Sequence, residues 1–348
     1  MKFLIYTDNH FSVNSSIIRS RGKKYSTRLE NQIESINWAE KLAEEKNCDQ
    51  VIQLGDFFDR ADLGSEEISA LKEIHWSNLP HIFLVGNHEL GSNNLEFNSL
   101  NVLAKIGKVI DKPTIDIGFG HEILYLPYIL ESNRKPLETI INETSQKYYV
   151  DTMITQEVKE RIILSHNDIS GIRYGQFESK QGFNIKEIED NCSLFINGHL
   201  HNQAQVSKKI LNLGDLTGQN FTEDGFKYSH SIAILDTKDL SIELINNPYA
   251  FYFYKIDSYE DLVKSQDKFD NKYSIATVKV KTNQITEARD LCNKLFKEYR
   301  LLTIFDNEEI KEEDISKLIS TDHVEQFKNY CLEKIGNDEN IIKELSLL

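Results

Sequence analysis

From Met1 to about residue 240, short apolar runs alternate with amphipathic stretches, a pattern that is typical of stacked strand–helix units. Several of the runs are rich in Ile, Leu, Val and Phe and lack polar alternation, which predicts strands that are buried on both faces. Six strands are predicted in this part, at residues 2–7, 50–54, 81–85, 122–126, 161–164 and 193–196. The pattern therefore predicts an α/β domain.

Two helices are predicted between the first three of these strands. A long amphipathic pattern runs from about residue 28 to residue 46. At its start, Thr27 and Glu30 have the spacing of a capping box, in which each side chain accepts a hydrogen bond from a backbone N–H group. A second helix is expected after Ser65, where Glu66 and Glu67 suit the positive end of a helix dipole.

The pattern changes twice in the second half of the chain. Residues 209–246 predict short strands with turns, at 210–213, 231–235 and 240–244. After a boundary at Asn246, Asn247 and Pro248, strands are predicted at 250–256, 275–280 and 301–305, with a helix at 285–298. An acidic connector at 307–314 leads to an amphipathic helical pattern. The predicted organisation is an α/β domain at 1–247, a small α+β domain at 248–306 and a helical tail at 307–348.

Composition narrows the class of protein. The 348 residues are 40% apolar and 27% charged, as in a soluble globular protein, and no apolar run approaches the roughly 18 residues of a membrane span. The four cysteines, Cys48, Cys192, Cys292 and Cys331, form no Cys-x-x-Cys pair and are expected to be buried thiols of a reducing compartment. We therefore expect a cytoplasmic protein without membrane association.

The formal net charge of −15 argues against a protein that coats nucleic acid through bulk electrostatics. One stretch could still grip phosphates locally, because it contains five cations and no acid before Glu30. These candidate DNA contacts are Arg19, Arg21, Lys23, Lys24 and Arg28. A solvated loop is the alternative interpretation of the same stretch.

The side chains that can carry chemistry follow the carboxyl ends of five predicted strands, where open α/β sheets place their sites. The motifs are Asp8-Asn9-His10, Gly55-Asp56-Phe57-Phe58-Asp59-Arg60, Gly86-Asn87-His88-Glu89, Ser165-His166-Asn167 and Gly198-His199-Leu200-His201. In the first and last motifs, two ligand-type residues are separated by one residue, so both side chains project from one side of an extended segment. Each motif alone is common, but chance does not explain all five in this order.

Together these motifs resemble the calcineurin-like metallophosphoesterase superfamily, from Met1 to about Asp236. The resemblance implies a β-sandwich flanked by helices and a dinuclear metal site. One metal would be held by Asp8, His10, Asp56 and His201. The other would be held by Asp56, Asn87, His166 and His199, with Asp56 as the bridge. Imidazole, carboxylate and amide ligands without thiolate suit Mn²⁺ best in our interpretation, with Fe²⁺ or Zn²⁺ as alternatives to it.

The resemblance also implies roles beside the metals. Two ions roughly 3.5–4 Å apart stabilise the attacking and leaving oxygens of an in-line displacement. His88 would be the catalytic histidine, which protonates the leaving oxygen or stabilises transition-state charge, and Glu89 would orient it. Asp59 and Arg60 complete the catalytic set, with Arg60 either contacting phosphate or supporting the loop. The remaining histidines are interpreted as non-ligands: His75, His81, His121, His230 and His323.

The segment after the last motif is similar to that of SbcD-type DNA double-strand-break repair nucleases. It comprises residues 211–217, Phe221, Glu223, Gly225 and Phe226. The resemblance implies a metal-dependent exonuclease or endonuclease that acts on DNA ends in recombination and repair. It also implies a capping domain, a tail that binds an SbcC-like SMC-family ATPase, and a homodimer within a heterotetramer. Asp215 departs from the usual Gly-Ser of the family, and we expect it to add negative charge near the DNA path.

Two other functions remain open from the sequence. A phosphatase or cyclic-nucleotide diesterase would use the same metal site, although a minimal diesterase would not need the last hundred or so residues. A DNA-end binding subunit with a vestigial site is the third hypothesis, and the intact ligand set counts against it.

Overall fold

The computed structural model describes residues 1–15, 18, 21–118, 120–152, 160–174 and 177–304. Six α-helices lie within these residues: α1 (Thr27–Glu45), α2 (Ser65–Ala70), α3 (Leu137–Thr152), α4 (Ile185–Asn191), α5 (Tyr259–Ser265) and α6 (Ile285–Leu295). Short 3₁₀ turns lie at Leu71–Glu73, Ser99–Leu103, Glu131–Asn133, Gln266–Lys268 and Thr282–Gln284.

The described strands are short, and most of them follow the predicted apolar runs. In chain order they are β1 (Lys2–Tyr6), β2 (Gln50–Gln53), β3 (His81–Leu84), β4 (Lys108–Ile110), β5 (Thr114–Gly118), β6 (His121–Leu126), β7 (Glu160–Ser165), β8 (Ile169–Ser170), β9 (Arg173–Tyr174), β10 (Phe177–Glu178), β11 (Phe183–Asn184), β12 (Leu194–Asn197), β13 (Ala204–Gln205), β14 (Ile210–Asn212), β15 (Ser231–Asp236), β16 (Ser241–Asn246), β17 (Tyr252–Ile256), β18 (Ser274–Lys281) and β19 (Glu298–Ile304).

Two six-stranded sheets face each other across one apolar core. The first has the order β16-β15-β1-β2-β3-β4, and the second has the order β13-β14-β12-β7-β6-β5. Ile5 and Ile52 of the first sheet share a fully buried cluster with Ile162 and Leu164 of the second. In the first sheet β1, β2, β3 and β4 run parallel, and β15 pairs antiparallel with both β1 and β16. In the second sheet β14, β12, β7 and β6 run parallel, and the edge strands β13 and β5 are antiparallel to their neighbours. Strands that are apolar on both faces belong in such central positions, as predicted.

Helices cover the outer faces of both sheets. Helices α1 and α2 pack on the first sheet, where Ile36 and Ala70 join the cluster of Phe83. Helices α3 and α4 pack on the second, where Ile140 and Ile188 join a separate apolar cluster. The result is the expected β-sandwich flanked by helices.

The start of α1 differs from the capping box predicted from Thr27 and Glu30. Ser26 is the N-cap, and its hydroxyl accepts from the Leu29 N–H at 3.2 Å. The Glu30 carboxylate accepts from the N–H groups of Lys24 at 2.7 Å and Tyr25 at 3.2 Å, so it holds the incoming chain and not the cap residue. Two adjacent hydroxyl residues made the position ambiguous by one residue. The helix predicted after Ser65 is present as α2.

A third, three-stranded sheet follows the sandwich. Its parallel strands β17, β18 and β19 carry α5 and α6, and Val278, Leu262 and Ala288 lie in their shared core. The predicted strand–helix pattern of this part is therefore present, while the predicted helical tail at 307–348 lies outside the described residues. Cys48, Cys192 and Cys292 are buried free thiols, as predicted, and Cys331 lies in the same undescribed part.

Among the described residues, no helix combines the length and the apolar character needed to cross a bilayer.

Candidate metal centre

The predicted ligands meet at one edge of the sandwich because the strands that precede them end there. Asp8 and His10 follow β1, Asp56 follows β2, and Asn87 follows β3 in the first sheet. From the second sheet, His166 follows β7, and His199 and His201 follow β12. Among the described residues, four ligand-type clusters form at this edge and share members: Asp8, His10, His201; His10, Asp56, His88; Asp56, His166, His199; and His201, Asp215, Glu223.

The backbone at these strand ends is strained. Asp8, His10, Asp56 and His199 have φ values of 51°, 48°, 50° and 71°, in a region that side chains with a Cβ rarely adopt. Such residues cost of order 1–3 kcal/mol each and persist where the surrounding structure fixes them. Here backbone bonds fix them, from the Asp8 N–H to the carbonyl of Gly55 and from the His10 N–H to that of Asp56. Strain concentrated on the ligand residues indicates a functional site.

The first cluster contains Asp8, His10, Asp56 and His201. The Nε2 atoms of His10 and His201 lie 3.0 Å apart, and each lies 3.9 Å from Oδ1 of Asp8. That Asp8 oxygen is buried without a hydrogen-bond partner. The other ring nitrogens face carboxylates, since His201 Nδ1 lies 2.8 Å from Glu223 and His10 Nδ1 lies 3.2 Å from Asp59. Two imidazole lone pairs and a free carboxylate oxygen therefore converge on one point, which fits a cation.

The second cluster contains Asp56, Asn87, His166 and His199. His166 Nδ1 lies 2.6 Å from the Leu54 carbonyl, to which it donates, so Nε2 faces Asp56 at 3.1 Å. His199 is held the other way round: its Nε2 lies 3.3 Å from Asp168, and its Nδ1 lies 2.9 Å from Oδ1 of Asn87. Asp56 contacts ligands of both clusters, since its Oδ2 also lies 4.0 Å from His10 Nε2. The structure thus brings together all seven predicted ligands in the two predicted groups.

The carboxylates at this edge of the sandwich raise the pKa values of two of the ligand histidines. Burial lowers the pKa of His166, but the carboxylates of Asp56 and Asp8 outweigh burial and raise it to about 9. Burial likewise lowers the pKa of His201, and its hydrogen bond and charge interaction with Glu223 raise it to about 10. In the metal-free protein the two imidazoles therefore hold protons at neutral pH. Divalent cations would replace these protons, and the donor set fits two of them.

Glu89 has a different role from the predicted orientation of His88. Its buried carboxylate accepts from the N–H groups of Asp56 at 3.0 Å, Phe58 at 2.9 Å and Gly86 at 2.8 Å. A Cβ on Gly86 would lie 2.2 Å from Oδ1 of Asp56, so only glycine fits between these loops. Glu89 thus positions the loop that carries the Asp56 carboxylate, through three backbone N–H groups.

His88 lies over the cluster and is partly open to solvent. Its backbone N–H donates to Oδ1 of Asp56 at 2.9 Å, and its Nδ1 lies 2.9 Å from the carbonyl of Asp59, to which it donates. Its ring stands edge-on to that of His10, with centroids 4.6 Å apart. With Nδ1 occupied, Nε2 is the nitrogen left to exchange a proton with a substrate.

Asp59 and Arg60 support the loop that carries Asp56. The Asp59 carboxylate contacts His10. Burial raises the pKa of Asp59, but the interaction with His10 outweighs burial and lowers it. Arg60 donates to both oxygens of Glu67, at 3.1 and 3.0 Å, and to the carbonyl of Asp62. Of its two predicted roles, the contacts favour loop support. Both residues line an open cleft of ≈ 480 Å³ next to Asn87 and His88.

Three carboxylates near the ligands had no predicted orienting role. Asp168 contacts His199, and its position directly after Asn167 was a usable signal. Glu223 contacts His201, although the sequence resemblance had assigned it no role. Asp215 is fully buried, with Oδ1 2.6 Å from His230 Nδ1, and burial and the neighbouring Glu223 raise its pKa well above the usual value. The Asp215 side chain, which was expected to add negative charge near a DNA path, is therefore buried against His230 and does not face solvent.

The other histidines that the structure describes lie outside the ligand clusters. His81 pairs with Glu40 at 2.9 Å, His121 lies 3.4 Å from Glu160, and His75 is exposed. His230 contacts the site only through Asp215. His323 lies outside the described residues.

The basic stretch is largely committed to other contacts. Arg21 pairs with Glu66 at 3.0 Å, and Lys24 pairs with Glu73 at 2.5 Å. Arg28 is only 5% exposed and donates to the carbonyl of His10. The prediction that it contacts DNA is therefore wrong, and its side chain supports the first metal motif instead. Lys23 is exposed, and Arg19 lies outside the described residues.

A two-sheet sandwich whose strand ends carry clustered ligands for two divalent metals is the arrangement of a metallophosphoesterase. The family model described as calcineurin-like phosphoesterase matches residues 1–203, and the chain belongs to this family. Comparison with curated protein sequences gives no match.

Solved structures show distant similarity. TT1561 of Thermus thermophilus is 14% identical with a TM-score of 0.40, and the match covers 70% of this chain and 98% of that one. A dimetal phosphatase from Danio rerio is 12% identical with a TM-score of 0.38, covering 67% and 91%. YfkN from Bacillus subtilis is 12% identical with a TM-score of 0.36, covering 71% and 88%. Similarity at this level supports no conclusion about substrate.

Metal binding should release protons. The raised pKa values of His166 and His201 mean that their protons stabilise the metal-free fold below about pH 6.5, and that this stabilisation is lost as pH rises through about 9 to 10. At neutral pH we expect about two protons to leave when two metals bind, and the affinity for Mn²⁺ to rise with pH. Calorimetric titrations in buffers of different ionisation enthalpy measure this number. Mn²⁺ binding near pH 7.5 without proton release would contradict the assignment of these two histidines.

Proposed function

We propose that this metallophosphoesterase is a DNA nuclease, which hydrolyses phosphodiesters at DNA ends as the SbcD-like subunit of a complex with an SMC-like ATPase. The observation that carries the proposal is the position of the segment after His201. The same segment that resembles the SbcD-type sequence contacts both the predicted ligand His201, through Glu223, and the third sheet, through Gly225.

The contacts of this segment are specific. Glu223 accepts from His201 through Oε1 at 2.8 Å and from the N–H of Gln219 through Oε2 at 2.5 Å. Two residues later, the Gly225 N–H donates to the carbonyl of Phe253 in β17 at 2.9 Å. The Phe221 and Phe253 rings meet edge-on, with centroids 5.3 Å apart. A domain joined so directly to the metal centre supports a substrate larger than a small phosphoester.

The proposed chemistry divides between metals and side chains. Two divalent ions, which we propose to be Mn²⁺, would supply an activated water and neutralise the charge of the phosphodiester. His88 would donate a proton from Nε2 to the leaving oxygen, since its Nδ1 is held by the Asp59 carbonyl. Glu89 keeps Asp56 between the two ligand groups, and Arg60 keeps the intervening loop in place.

Cleavage of linear DNA tests the proposal. Purified protein with Mn²⁺ should degrade linear duplex or single-stranded DNA, and His88→Asn should lower kcat by about 100-fold or more, because proton transfer contributes 10²–10⁴-fold. Metal content should stay unchanged, since His88 is not among the seven ligands. The exposed His75→Asn is the matched control and should retain full activity.

Three outcomes contradict this account. Rapid turnover of a small phosphoester with no cleavage of DNA would favour the phosphatase or diesterase alternative. Full DNA cleavage by His88→Asn would remove the proposed acid. An inert protein that takes up no metal yet binds the ATPase would favour the vestigial-site alternative.

The partner is proposed from the sequence pattern of residues 307–348, with apolar positions Val324, Phe327, Tyr330, Cys331 and Ile335. Removing residues 307–348 should abolish co-purification with the coiled-coil ATPase and leave Mn²⁺-dependent hydrolysis by the isolated chain intact. Unchanged association after this truncation would remove the tail as the binding element. A homodimer within a heterotetramer is proposed with it, and light scattering of the full complex checks that stoichiometry.

A further inference from the structure

Beside the second ligand cluster, the structure has a cleft that neither the metals nor His88 uses. Its volume is ≈ 390 Å³, within the usual range for small-ligand sites. Its exposed lining surface is mainly apolar, with Leu95, Leu130 and Ile140 among the lining residues, and Tyr128 lines it as well. We propose that this cleft binds the nucleobase next to the scissile phosphate, with the ring of Tyr128 as its stacking platform. The inference rests on the proposed function and names the subsite that would bind a base of the DNA substrate.

Tyr128 connects the cleft to the metal centre. Its ring centroid lies 5.8 Å from that of the ligand His199, with the planes tilted by 43°. A base stacked on Tyr128 would therefore lie beside the second metal, with its own phosphate able to reach the ions. Aromatic rings are sequence-tolerant platforms for bases, because every base has a π-face.

The loop that carries Tyr128 is fixed by the residue after a metal ligand. Fully buried Asn167 follows His166 and accepts from the Ile129 N–H at 3.0 Å. Its amide donates to the carbonyl of Pro127 at 2.9 Å. The Tyr128 N–H itself donates to Val85, at the end of β3, at 2.9 Å. The platform is thus held in register with both sheets, which is what a positioning subsite needs.

Charge at the rim suits a nucleotide better than an apolar ligand. Lys112, Lys135 and Lys147 line the cleft together with the acids Asp111 and Glu143, in a chain whose net charge is −15. Glu143 neutralises Lys135 at 2.8 Å, whereas Lys112 and Lys147 have no carboxylate partner among the described residues. These two cations can contact the phosphates that flank a bound base.

Binding of two matched ligands tests the inference without any turnover. Mn²⁺-loaded protein is titrated calorimetrically with deoxyguanosine monophosphate and with deoxyribose phosphate, which has the same sugar and phosphate but no base. Wild type should bind the nucleotide roughly 5- to 150-fold more tightly, the range for stacking one base. Tyr128→Ala should reduce this ratio to near one, while Tyr128→Phe should keep most of it, because the ring and not the hydroxyl stacks.

Tyr149→Ala is the matched control, since this half-buried tyrosine of α3 does not line the cleft. The inference is overturned if wild type binds both ligands equally, if Tyr128→Ala keeps the preference, or if Tyr128→Phe loses it as fully as Tyr128→Ala. These results are independent of DNA cleavage. A protein that prefers the nucleotide but does not cut DNA refutes the proposed nuclease and retains the base site. A protein that cuts DNA but shows no preference for the nucleotide refutes only the base site.

Discussion

The carboxylate of Asp56 is the constraint on which the site depends. It lies between two groups of imidazoles, with its Oδ2 3.1 Å from His166 of the second sheet and 4.0 Å from His10 of the first. Holding it there requires a left-handed backbone at Asp56, a glycine at position 86 and the buried carboxylate of Glu89. Buried carboxylates and imidazole lone pairs held this close together are stable only when cations neutralise them, either protons or metal ions.

A further layer of acceptors decides which nitrogen each histidine presents. Asp59, Asp168 and Glu223 contact His10, His199 and His201, and the Leu54 carbonyl contacts His166. Each contact fixes a ring orientation and so decides which nitrogen faces the ligand cluster. Because Glu223 belongs to the segment that pairs with β17, the third sheet and the first ligand group share a structural element.

Features that depend on a local sequence pattern could be predicted from the sequence. Features that depend on residues distant in the chain could not. The ligands were predictable because they follow apolar runs at fixed offsets, and parallel strands deliver their carboxyl ends to one edge. The N-cap of α1 was missed by one residue, since Ser26 and Thr27 offer the same hydroxyl. The partners of Arg21 and Lys24 had no local signal, because Glu66 and Glu73 lie 45 and 49 residues away in sequence. Burial of Asp215 likewise has no local signal.

Anomalous diffraction from crystals grown with Mn²⁺ tests the dinuclear site most directly. The account predicts two anomalous peaks roughly 3.5–4 Å apart. Asp56 should lie within bonding distance of both, His10 and His201 near one, and His166 and His199 near the other. A single peak, or two peaks without a shared Asp56 ligand, would contradict it.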